Sequence, residues 1–73
     1  NNVGYFSTVA SSTSQIIYNE RIGFDSAIVF TPLDANAATE MANLYVGSRS
    51  RGQAVIEHTS NAYICNFMYI VVG

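Results

Sequence analysis

At 73 residues the chain has room for one domain, and a domain of that size buries only about 60% of its unfolded surface. Hydrophobic residues make up 49% of it and charged ones 11%, with no lysine, against roughly 25% charged residues in an average soluble domain. The net charge is −2 and Arg21, Arg49 and Arg51 are the only cations, so there is no basic face for a phosphate backbone, and nucleic acid is not an expected partner.

The single cysteine, Cys65, precludes an internal disulfide, and one histidine with one cysteine cannot supply the four ligands of a structural zinc site. No cofactor is expected. The longest apolar run, Phe67 to Val72, is far short of the ~20 residues of a membrane-spanning helix, so no membrane insertion is expected. The chain begins at Asn1 rather than methionine, which suggests a piece of a longer polypeptide. A core this small seldom supplies more than about 3–5 kcal/mol unaided, which leaves oligomerisation as the expected source of further stability.

In chain order, β-branched and aromatic residues recur in short runs separated by Gly, Ser, Asn and Asp, the pattern of an all-β domain. Val3–Val9 alternates imperfectly and breaks at Ser11–Ser14. Gln15–Tyr18 follows and leads through Asn19–Arg21 to Ile22-Gly23-Phe24, before a turn at Asp25-Ser26. Ala27–Thr31 is apolar on both faces, and Pro32 ends its ladder. Asp34 to Met41, with Ala35, Ala37, Ala38 and Glu40, is the one stretch suited to a turn or two of helix. Asn43–Val46 and Gln53–Thr59 bracket Gly47–Gly52, which reads as a hairpin with a polar tip carrying two arginines. Thr59–Ala62 is the last loop, and a terminal strand is expected to begin between Tyr63 and Asn66. The sum is a small antiparallel β-sandwich of six to seven short strands.

The terminal strand carries the most information. Successive strand residues point to opposite faces, so Phe67, Tyr69 and Val71 look one way and Met68, Ile70 and Val72 the other. A small antiparallel sheet covers one face with its own core and usually leaves the other in water. Large apolar side chains on both faces therefore ask for a second partner surface. Ile28, Val29 and Phe30 make the same demand, and alternation alone does not say which face is which.

The order of the second half carries a resemblance. Ala27–Thr31 with Pro32, the Ala-rich Ala35–Ala38, the Leu44-Tyr45-Val46 strand, the segment Ala54-Val55-Ile56-Glu57-His58-Thr59-Ser60-Asn61-Ala62 and a closing strand ending in Val72-Gly73 follow one another. This resembles the small C-terminal domain that closes tailspike and tail-fibre proteins of tailed bacteriophages, after a parallel β-helix body. The resemblance covers about residues 24–73, and residues 1–23 fit as lead-in strands. It implies a β-sandwich held as a homotrimer around the fibre axis, serving assembly and stability in the virion at the point of host attachment. Cys65 departs from the pattern, standing where a polar or small residue is expected.

Chemical sites are few. His58 and Cys65 are the only base–thiol pair, with no orienting third residue, and the plainer expectation is a histidine bonded to a loop carbonyl and a buried thiol. The five carboxylates Glu20, Asp25, Asp34, Glu40 and Glu57 show no spacing that sets two across a cleft, and are expected as solvated loop charges and turn caps. Asp34 and Asn36 offer too few oxygens for calcium, which makes Asp34 a cap. Tyr5, Tyr18, Tyr45, Tyr63 and Tyr69 are many for this length, and the expectation is rings buried at the rim of the sandwich and between subunits, with wet hydroxyls. A lectin-like alternative uses Tyr45, Tyr63 and Gln53 with Arg49 and Arg51 to hold a bacterial surface polysaccharide. No motif supports an enzyme.

Overall fold

Alternation is strict where the chain can hide only one face. In β1 (Asn2–Ser7), Asn2, Gly4 and Phe6 point inward while Val3, Tyr5 and Ser7 are exposed. The same alternation runs through β2 (Ser14–Tyr18), β3 (Ala27–Pro32), β5 (Gln53–Glu57) and β6 (Asn66–Val72), whereas β4 (Tyr45–Ser50) is irregular. These elements belong to a computed structural model that describes residues 2–73.

Two three-stranded antiparallel sheets result, ordered β1-β6-β3 and β2-β5-β4. They face each other, because the core draws Ile17, Ala54 and Ile56 from the second sheet and Tyr69 and Val71 from the first, with Ile22 from the connection between them. β1 lies over β2, where Asn19 donates to the Asn2 side chain at 2.7 Å. β3 lies over β4, where Arg49 donates to the Ser26 carbonyl. One end of the core is an aromatic cluster: Phe6 stacks on Phe67 at 5.2 Å and meets Phe30 edge-on at 5.7 Å. The helix α1 (Ala35–Glu40) and the 3₁₀ turn that follows it (Met41–Asn43) cover that end through Ala37 and Met41.

The sequence expectations are met for six strands, for one short helix, and for a terminal strand that starts at Asn66. Three boundaries differ. Ile22-Gly23-Phe24 forms no strand: Ile22 N–H turns back to the Asn19 carbonyl at 2.9 Å, and Arg21 N–H goes to the Asn19 side chain at 2.9 Å, so local turns consume the bonds a ladder would need. The polar stretch Gly47–Ser50 is strand rather than hairpin tip. Its register against β5 shifts between Val46 and Ser48, a bulge that accommodates one extra residue. The true tip is Arg51-Gly52, closed by Gly52 at φ 84°, a conformation glycine adopts without steric cost. The first strand stops at Ser7 because Thr8 is buried and exchanges bonds with Cys65, at 2.9 Å from its N–H and 3.1 Å to its hydroxyl.

Candidate functional site

The nine apolar residues singled out on β3 and β6 divide cleanly. Phe67, Tyr69 and Val71 are buried in the core, and Ile28 and Phe30 pack against it. Val29 and Val72 are exposed on the opposite face of the same sheet, with Met68 and Ile70 half-buried between their neighbours. The register builds rows across that outer face: Val3, Ile70 and Val29 in one, Tyr5, Met68 and Thr31 in the next. Cross-strand neighbours of this kind lie ~5 Å apart at Cβ, so the rows form a continuous surface. None of the residues of β1, β3 or β6 is charged. The outer face of the other sheet is mixed: Ser14, Glu57 and Tyr45 form one row, Ile16, Val55 and Ser48 the next, and Tyr18, Gln53 and Ser50 the last.

The five residues of the lectin-like alternative do not form one group. Tyr45 sits opposite Glu57, whereas Gln53 sits opposite Ser50, four positions along β5 or about 13 Å away. Tyr63 is exposed on the loop between β5 and β6. Arg49 and Arg51 stay with Gln53 at the hairpin end, and Arg49 is tied to Ser26. The tyrosines also depart from the rim expectation. Tyr69 is buried, with its hydroxyl 3.3 Å from the Asn19 side-chain nitrogen, while Tyr5, Tyr18, Tyr45 and Tyr63 are each more than half exposed.

Glu40 is the largest departure among the polar residues. Expected as a solvated loop charge, it is buried at the C-terminal end of α1. Its carboxylate accepts the Thr59 N–H at 2.7 Å and the Asn61 amide at 3.2 Å, and the Thr59 hydroxyl lies 2.8 and 2.7 Å from its two oxygens. Burial alone would push its pKa up. The Thr59 hydroxyl and N–H, the Asn61 amide and the nearby His58 outweigh burial and hold it below the usual carboxylate value. His58 is buried beside it, with Nδ1 3.0 Å from the Thr59 carbonyl, the loop-carbonyl bond expected from sequence. That bond uses Nδ1 as a donor, and Nε2 is buried with no hydrogen-bond partner among the described residues. Cys65 is a buried free thiol.

Asp34 caps α1 as expected: its side chain accepts the Ala37 N–H at 2.7 Å and the Asn66 amide at 2.9 Å. Those bonds, the Ala37 N–H foremost, hold its carboxyl below the usual range. Among the described residues no three His, Cys, Asp or Glu side chains are grouped to hold a metal, and no helix is long and apolar enough to cross a membrane. Comparison with known protein families, curated proteins and solved structures returns no match.

Sequence reasoning missed two parts of this arrangement. Val3 and Tyr5 extend the outer apolar face, and their alternation with Gly4 and Phe6 was the available signal. The Glu40 clamp left no local signal, because its donors lie 19 and 21 positions away.

Proposed function

We propose that the chain is a structural assembly module, a homotrimer that closes and stabilises a tailspike or tail-fibre protein of a tailed bacteriophage in the virion. The observation that supports this reading is the uncharged outer face of the β1-β6-β3 sheet, with Met68 and Ile70 on its central strand and Val3, Tyr5, Val29 and Val72 around them. The resemblance of residues 24–73 to such closing domains, read from the sequence, gives the proposal its context. A soluble monomer seldom leaves an apolar patch of several hundred Å² in water without a use for it. Around a three-fold axis three such faces cover one another, Ile70 and Met68 nearest the axis, and the closed symmetry limits growth into fibres.

Light scattering across a dilution series tests it. The expected mass is three times 7.9 kDa at every concentration. Ile70→Lys should give a folded monomer with unchanged far-UV circular dichroism, because the substituted side chain lies on the outer face and not in the core. A soluble trimer of unaltered stability in that variant would remove the face from the interface, and a monomeric parent chain would remove the assembly role.

A further inference from the structure

The apolar outer face does not stop where its strands stop. The β1–β6 register runs one pair further, with the Thr8 N–H on the Cys65 carbonyl at 2.9 Å, and both residues are buried. Alternation puts the next pair, Val9 and Ile64, on the outer face, where they are 59% and 60% exposed. Leu33, whose N–H bonds the Asn66 carbonyl at 2.9 Å, is half exposed on the same face just past β3. Val9 and Ile64, however, are carried by loops.

Those loops, 8–13 and 58–65, run side by side, and the sheets fix their ends. Thr8 with Cys65 prolongs the β1–β6 ladder, and the His58 N–H on the Thr13 carbonyl at 2.9 Å prolongs the β2–β5 ladder. Among the described residues a single backbone bond joins their middles, from the Ser11 N–H to the Asn61 carbonyl at 2.8 Å. Asn61 is itself held by Glu40: its amide donates to the carboxylate at 3.2 Å, while its side-chain oxygen accepts the Tyr63 N–H at 2.8 Å. Glu40 takes the Thr59 N–H as well. Ser11 stands at φ 64°, a left-handed conformation that disfavours residues with a Cβ, so the 9–12 turn is held against its own preference.

We infer that segments 9–12 and 59–64 form a latch shut by the ionised Glu40, and that neutralising Glu40 opens it while both sheets stay folded, drawing Val9 and Ile64 away from the outer face. A protonated carboxyl turns one of its oxygens into a donor, which would meet the Thr59 and Asn61 N–H groups, and these cannot accept. The latch is shut above the ordinary carboxylate range and released as the pH falls through the lowered pKa of Glu40. Among the described residues His58, on the same loop, is the charged group that acts on this carboxylate, and its positive form favours the ionised state. α1 and the 9–12 turn hold no other titratable group. Tyr63 is exposed, Cys65 packs with Ala37 and Phe67, Asp34 is engaged by Ala37 and Asn66, and Glu57 lies against Gly47 on β4. The consequence for assembly rests on the outer face being the subunit interface: with the latch open that face loses its Val9–Ile64 end, and association weakens.

The test is an NMR titration of the whole chain from about pH 7 to about pH 3, across the carboxylate range, with light scattering on the same samples. The amides of Ser11, Thr59 and Tyr63 should shift together at the midpoint of the Glu40 side-chain carboxyl carbon, while those of Ile56, Phe67 and Tyr69 stay in place. In Glu40→Gln the three should already occupy their acid positions at neutral pH. Asn61→Ala should leave Thr59 on the Glu40 midpoint and release Ser11 and Tyr63 from it. Movement of Thr59 alone in the parent chain overturns the latch. So does concurrent loss of the β6 signals, which would make Glu40 a support of the whole fold. For assembly, Glu40→Gln should dissociate on dilution where the parent holds its mass, and Val9→Ser with Ile64→Ser should do the same without moving the Glu40 midpoint. An undiminished oligomer in both variants overturns that link. A monomeric parent chain overturns the assembly reading and this consequence with it, and the amide shifts then decide the latch by themselves.

Discussion

At the scale of single residues, two positions decide how the loops and sheets are held. Glu40 gathers donors from Thr59 and Asn61 and so ties the loop after β5 to the end of α1. Charge-assisted bonds of this kind are the stronger ones, and removing the charge from a buried acceptor costs about 1–3 kcal/mol. Glu40→Gln should destabilise the fold by about that much in urea melts at neutral pH. The pH dependence follows from the lowered pKa of Glu40. Between its folded value and the ordinary glutamate value of about 4.3, the unfolded chain binds the proton and the folded chain does not. Its contribution is therefore complete above about pH 4.3 and disappears as the pH falls through the folded pKa. Melts in this acid range should show the parent losing stability more steeply than Glu40→Gln, and equal slopes would mean that the clamp is not ionised. Gly4 decides a different contact. Tyr69 lies against it from the central strand, so a Cβ at position 4 would fall on the phenol ring. Gly4→Ala should cost about 1–3 kcal/mol by overpacking. It should also displace the Tyr69 hydroxyl from Asn19, visible as a shift of the Asn19 side-chain amide in NMR spectra. A Gly4→Ala variant as stable as the parent would mean that the ring moves freely.

At the scale of elements, the β4–β5 hairpin shows what the sequence could and could not announce. Gly47–Gly52 is polar from end to end and contains two glycines, which by composition alone is a loop. Pairing overrode composition, since Ser50 meets Gln53 and Arg49 meets Ala54, and only Arg51 and Gly52 remain to turn the chain. Gly52 at φ 84° makes so short a turn possible. Gly52→Ala should therefore cost about 1–2 kcal/mol, with Cβ crowding in the left-handed region and not lost packing as the cause, because open space surrounds the position. Gly52→Asn should recover part of that loss, since asparagine tolerates this region better than alanine, and urea melts of the two variants make the comparison. The elements that read easily from sequence had a physical reason to do so. β6 is the centre of its sheet and carries apolar side chains on alternate faces from Phe67 to Val72, so its length and both of its faces were legible. α1 was legible because Asp34 stands at its N-cap position ahead of an alanine-rich turn. Ile22-Gly23-Phe24 misled because its apolar residues serve unrelated ends: Ile22 is a core residue carried by a turn, and Phe24 points to solvent.

At the scale of the whole molecule, charge divides the chain in two directions. Across the layers, the β1-β6-β3 sheet is uncharged while the other carries Arg49 and Glu57. From end to end, the three arginines lie with Glu20 and Asp25 around the 19–26 connection and the β4–β5 turn, and Asp34, Glu40 and Glu57 lie at the other end. Alternation could foretell that β3 and β6 have two apolar faces, but not which face would be left outside. That choice depends on the partner sheet and on Val3 and Tyr5, which reach β6 only through long-range pairing. The two divisions suggest different modes of self-association, and salt separates them. Contact between unlike ends would be electrostatic and would weaken as the screening length falls from about 30 Å at 0.01 M salt to about 3 Å at 1 M. Association through the uncharged face involves no charge to screen, and its driving force is the removal of apolar surface from water. The mass measured by light scattering should therefore hold constant from about 0.01 M to about 1 M salt, and the association should loosen on cooling, as apolar burial does. Dissociation at high salt with no response to cooling would transfer the interface from the sheet to the ends of the molecule, and Ile70→Lys would then leave the oligomer intact.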